Sequence, residues 1–172
     1  MEKRPIIRIE KSAWDKLLEI AGFAAVGAAW VFAIVAYSSL PETIPTHFDF
    51  SGAADGYGGK GMLFLLPSIC VVLYIGMYLL NRRPDIFNYP QKITEENAST
   101  MYSIATKMIR VINFIISVVF LAIELISIDA ALSNSSTIGA WVIMLLIIVI
   151  FAPVVWYARK LFKVMSNNSQ KI

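Results

Sequence analysis

Ser38-Ser-Leu-Pro-Glu-Thr-Ile-Pro-Thr-His-Phe-Asp-Phe-Ser-Gly-Ala-Ala-Asp-Gly-Tyr-Gly-Gly-Lys60 separates two long apolar runs. It holds the chain's one histidine, His47, two of its seven prolines, and glycines at 52, 56, 58 and 59. Pro41 and Pro45 restrict themselves and the residues before them to extended backbone, while Ser51-Gly52 and Asp55-Gly56 supply turn chemistry. A connection of this length is more often functional or disordered than a plain link. Its interleaved aromatics, prolines and polar residues favour a shaped loop, with Pro41 and Pro45 stiffening it and Gly52 and Gly56 allowing its turns.

The runs on either side set the class. The chain has 172 residues, 58% of them hydrophobic, with a mean hydropathy of +0.66. That is too apolar for an ordinary soluble domain. Four segments, 20–40, 61–80, 111–128 and 138–158, are long enough to cross a hydrocarbon core that needs about 20 apolar residues. Lys3, Arg4, Arg8, Lys11 and Lys16 precede the first; Arg82, Arg83, Lys92, Lys107 and Arg110 lie between the second and third; Arg159, Lys160, Lys163 and Lys171 follow the fourth. Lys60 alone falls on the other side. By the positive-inside rule both termini are expected in the cytoplasm and the 41–60 loop outside it.

The same distribution disposes of nucleic acid as a partner. A net charge of +3 would raise that question in a soluble protein, but here the basic residues flank spans and face anionic headgroups. The lone Cys70 has no intrachain partner, and the first apolar run is too long for a cleavable signal peptide. The expected organisation is an amphipathic segment at 1–19, a two-helix unit at 20–83, a connector and helix start at 84–110, a second helical hairpin at 111–160 and a tail at 161–172. Within it, Trp14 is the anchor of the first segment, small residues including Ala24, Ala25, Ala28 and Ala29 suit close helix packing, and Pro67 should kink the second span. Thr94-Glu-Glu-Asn has the composition of a helix start.

Chemistry-bearing residues are few. Glu124 falls inside the third span, where an ionisable side chain is costly and commonly faces the bundle interior or a wet cavity. Leu40-Pro-Glu-Thr43 has Ile44 where a sortase signal has glycine. The spacing of Asp49, Ser51 and Asp55 does not match a calcium loop, since Lys60 stands where a bidentate glutamate belongs. His47, Asp49 and Asp55 make a thin metal set, so no metal and no cofactor is expected. No GxSxG or HExxH occurs, and catalytic residues are not assigned.

Leu40-Pro-x-x-Ile44-Pro45-Thr46-His47-Phe48, then Gly52, Asp55-Gly56 and Lys60, resembles the signature of a small bacterial membrane domain of unknown function. That domain forms the front part of Sdp-type immunity proteins, which protect a toxin-producing cell from its own secreted peptide. The resemblance covers roughly residues 15–83 and implies one helix on each side of the motif. Those immunity proteins continue into further spans, whereas two more follow here.

The expectation is therefore an all-α membrane protein with four transmembrane helices and a structured loop between the first two, in the bacterial inner membrane. Its expected function is binding: His47, Phe48, Asp49, Asp55, Tyr57, Lys60 and Glu124 would recognise an envelope-acting peptide or a membrane lipid and give self-protection. The alternatives are an accessory subunit of a transporter or other membrane protein, and a metal-dependent membrane enzyme.

Overall fold

The computed structural model describes residues 4–133 and 140–169; the expected start of the fourth span at Ile138 lies outside them. Among the described residues four helices are long and apolar enough to cross a membrane, in the segments Ala13–Tyr37, Lys60–Leu80, Glu95–Leu132 and Met144–Val164. The protein is a multi-pass α-helical membrane protein. Helix α1 (Ala13–Tyr37) is followed by a two-stranded antiparallel hairpin, β1 (Thr43–Phe48) and β2 (Ala54–Gly59), then by α2 (Leu65–Leu80), α3 (Glu95–Leu132) and α4 (Ala140–Ser169). The hairpin lies at one end of the bundle and both described chain ends at the other.

Local chemistry sets the boundaries. Ser12 begins α1 with a capping box: its hydroxyl accepts from the Asp15 amide at 3.2 Å, and the Ser12 amide donates to the Asp15 carboxylate at 2.9 Å. The helix therefore starts at Ala13, inside the segment expected to precede the first span. Residues 4–12, part of the expected amphipathic segment, are not helical. They run as a strap across the termini end, where Arg4 donates to the carbonyls of Asp85 (3.0 Å) and Phe87 (2.5 Å), and Tyr102 donates to Pro5 at 3.1 Å.

A short 3₁₀ turn, Lys60–Phe64, leads into α2 and corrects the expected kink at Pro67. Pro67 sits in the first turn of α2, where the missing amide has no helical acceptor to lose. At the far end Asn81 caps α2 and Pro84 opens another 3₁₀ turn. The Thr94 amide then donates to Asn97 Oδ1 at 2.9 Å and α3 begins, as the Thr94-Glu-Glu-Asn composition suggested.

At 38 residues α3 is about 57 Å long, well beyond one membrane thickness. It touches α1, α2, α4 and β1, and so α3 is the central helix. The small residues of α1 serve this contact. Gly22, Ala25, Ala29 and Ala33 are buried, and a Cβ on Gly22 would lie 3.0 Å from the Tyr74 ring and 3.5 Å from the Phe114 backbone. Ala24 faces outward instead. The termini end of α3 carries its own apolar cluster, in which Met101, Tyr102 and Ala105 meet Tyr89, Ile93 and Leu161. The 84–110 connector is thereby folded onto the bundle.

Candidate functional site

The hairpin is built by its turn and by one plug. Asp49 Oδ1 accepts from the Ser51 amide (2.8 Å), the Ser51 hydroxyl (2.6 Å) and the Ala53 amide (3.0 Å), closing the turn around Gly52, whose φ is 85°. The Ser51 hydroxyl and then the Ala53 amide hold the Asp49 carboxyl below its ordinary value. At the base, buried Ile44 packs with Leu40, Leu63, Ala33 and Ala131, pinning β1 onto α1 and α3. Lys60 bonds the Glu42 carboxylate at 2.9 Å, and its ammonium lies 5.1 Å from the centre of the Tyr37 ring.

The pairing of the strands is irregular in a way that creates a side-chain pair. Pro45 faces Tyr57, His47 faces Gly56 and Phe48 faces Ala54, so Thr46 is unmatched on β1 and Asp55 on β2. The two irregularities compensate, and they bring His47 Nδ1 against Asp55 Oδ1. Gly56 is required opposite His47, because a Cβ there would sit 2.9 Å from His47 Cβ.

Beneath β1 lies a cavity of about 440 Å³, within the range of small-molecule sites. Ile44, Pro45, Thr46, His47 and Phe48 form its roof, Leu65 and Leu66 of α2 one wall, Val119, Ile123, Glu124 and Ser127 of α3 its floor, and Leu146, Ile147 and Ile150 of α4 the other wall. Glu124 is completely buried, and neither of its carboxylate oxygens has a hydrogen-bond partner among the described residues. The Ser127 hydroxyl is committed to the Ile123 carbonyl at 2.9 Å.

The structure thus brings three sequence-selected residues, His47, Phe48 and Glu124, to one cavity, with Asp55 held at its edge through His47. It does not bring the others there. Asp49 is spent on the turn, Lys60 on Glu42, and Tyr57 stands 59% exposed on β2. Among the described residues no group of three or more His, Cys, Asp or Glu side chains is placed to hold a metal ion. Pro45 is buried in the roof while Pro41 is exposed before β1.

A second polar cluster, at the termini end, went unread in the sequence. Arg110 is buried between Asp15 (3.2 Å) and Glu19 (3.1 Å), and Glu19 also takes Lys11 at 2.6 Å. Around it Tyr74 donates to the Glu19 carbonyl at 2.5 Å, Asn113 to the Tyr74 carbonyl at 3.2 Å, and Asn81 to the Thr106 carbonyl at 3.1 Å. These bonds join α1, α2 and α3. The signal was a pair of acids four residues apart at the start of α1 with an arginine at the mouth of the third span. It was masked because basic residues at span ends are ordinary.

Fold and cavity together define a helical, multi-pass membrane protein with a β-hairpin roofing an apolar chamber. A family model described as "Domain of unknown function (DUF1648)" matches residues 24–71, most of α1 through the first part of α2 with the hairpin between them. An "Uncharacterized protein" of Archaeoglobus fulgidus (strain ATCC 49558 / DSM 4304 / JCM 9628 / NBRC 100126 / VC-16) is 30% identical over 162 residues, spanning 86% of this chain and 87% of the relative. The chain belongs to the family of that archaeal protein. An alignment of that length runs into α3 and α4, so the second half of the chain is shared with the relative although the sequence resemblance had stopped near residue 83. No solved structure matches.

Proposed function

We propose that this protein is a membrane binding protein that captures an envelope-acting amphiphile in the chamber under the hairpin, and so protects the cell that carries it. The observation that carries the reading is the chamber itself: about 440 Å³, mostly apolar, with the buried and unpartnered Glu124 in its floor. A site of that size with few polar groups suits a small ligand or a segment of a larger one. The hairpin motif's likeness to the front part of Sdp-type immunity proteins supports self-protection as the purpose. The crowding of basic residues at the termini end supports an orientation with both termini in the cytoplasm and the hairpin outside. The membrane is the cytoplasmic one, the inner membrane in a bacterial host.

The reading is tested by expressing the full chain in a host sensitive to membrane-active peptides and scoring survival against a panel of them. Wild type should raise survival over the empty vector. Ile123→Trp, which puts an indole into the chamber, should remove that gain at equal membrane abundance. Equal survival with the two forms, or no gain from wild type, contradicts it.

A further inference from the structure

An ionised carboxylate in an apolar chamber is stable only when a donor or a cation meets it. The chain supplies neither to Glu124 among the described residues. The cation at the hairpin end, Lys60, is engaged by Glu42 at 2.9 Å, the Ser127 hydroxyl is spent on Ile123, and His47 is paired with Asp55. The chamber therefore offers acceptor capacity at its floor and hydrocarbon on its walls.

Its two side walls belong to helices packed on α3 more than on each other. Leu65 on α2 and Ile147 on α4 line the chamber and are each 48% exposed, whereas Glu124 is completely buried, and α2 packs chiefly on α1 and α3 while α4 packs on α3.

We infer that the chamber takes a single-chain amphiphile with a primary ammonium head, which enters laterally between α2 and α4 and sets its head on the Glu124 carboxylate, its alkyl chain along Leu65 and Ile147. This rests on reading the chamber as the ligand site. It adds the charge of the head and the route. An ammonium suits the floor because its three donors can satisfy both unpartnered oxygens, and because a desolvated carboxylate gains most from a charge-assisted bond. An anionic head would face that carboxylate with no cation to offset it.

The test measures binding of radiolabelled dodecylamine, dodecanol and dodecyl sulfate to the full chain in phosphatidylcholine nanodiscs, with empty nanodiscs as the partition blank. Wild type should hold dodecylamine more tightly than the other two by about tenfold or more, the scale of one desolvated charge pair. Glu124→Gln should lose that preference while still binding dodecanol, which shows that the chamber is intact. Ile123→Trp should lose all three ligands. If Glu124→Gln keeps the amine preference, or wild type has none, the ammonium assignment is overturned while the chamber stands. If no alkyl probe binds above the blank and Ile123→Trp changes nothing, the chamber reading itself fails. Adding phosphatidylethanolamine to the nanodiscs separates two sources of the amine. Competition against dodecylamine makes the resident lipid headgroup the ligand, and its absence makes the ligand a foreign amphiphile; either result upholds the ammonium site.

Discussion

Glu124 and Arg110 lie on the same helix and meet opposite fates. Arg110 is buried with two carboxylates around it, while Glu124 is buried with neither oxygen partnered among the described residues. Both were visible as charges in or beside an apolar run, but only Glu124 stood out, because an acid inside a span has no topological excuse. Asp49, expected on composition among the ligand-binding residues, is the residue that closes the turn. That role has a pH signature. The folded carboxyl lies below its unfolded value, so its contribution to the turn is present above the unfolded value and is lost as pH falls through the folded one. NMR shifts of the Ser51 and Ala53 amides should therefore hold steady from neutral pH to about 4 and move below it. In Asp49→Ala the shifts should stay steady down to strongly acid pH, and movement at the same pH in both forms would remove Asp49 as the cause. Gly56→Val should open the strands against His47, seen as loss of the hairpin's cross-strand contacts by NMR. Gly61→Ala, at a glycine with open space around its Cβ position, should leave them intact.

At the scale of elements the hairpin was the least legible part. Its strands read Thr-Ile-Pro-Thr-His-Phe and Ala-Asp-Gly-Tyr-Gly-Gly, with a proline in one and three glycines in the other, the residues that ordinarily argue against strands. What makes them strands is tertiary: Ile44 is plugged between α1 and α3, and the Asp49 turn fixes the reversal. Prolines and turn pairs announced shape without announcing β pairing. The helices were legible in existence because the apolar runs are long, and poorly so in their limits. α1 begins seven residues early, since Ser12 and Asp15 cap it, whereas the start of α3, sixteen residues before its apolar run, was legible in Thr94-Glu-Glu-Asn, and Tyr102, Met101 and Ala105 bury that stretch of helix away from the span. The tie between α1 and α3 gives the prediction at this scale. Arg110→Ala leaves Asp15 and Glu19 without their shared cation and should destabilise the bundle by about 3–5 kcal/mol, read as a lower denaturation midpoint. Lys16→Ala, on the exposed face of α1, should change little.

For the whole molecule, hydropathy alone gave four crossings, and the structure adds what hydropathy has no term for: that α3 is the axis and that α2, α3, α4 and β1 leave a chamber between them. A cavity depends on where side chains stop short of one another, which no residue count records. Sidedness is accessible to a simple check. Phe50→Cys at the hairpin tip and Ile6→Cys in the strap are both well exposed, and native Cys70 is buried and should stay silent. An impermeant maleimide should label Phe50→Cys on intact cells and Ile6→Cys only after permeabilisation, and the opposite pattern would invert the proposed topology.

The claim at the centre, that a ligand enters the chamber beneath the hairpin from the lipid side, is met most directly by photo-crosslinking with an alkyl amine carrying a diazirine in its chain. In nanodiscs the label should concentrate on peptides holding Leu65, Leu66, Leu146, Ile147 and Ile150, and Ile123→Trp should abolish it. Label spread over the outward face of α1, at Phe23, Val31 and Val35, and indifferent to Ile123→Trp would mean that the chamber holds nothing and the account is wrong.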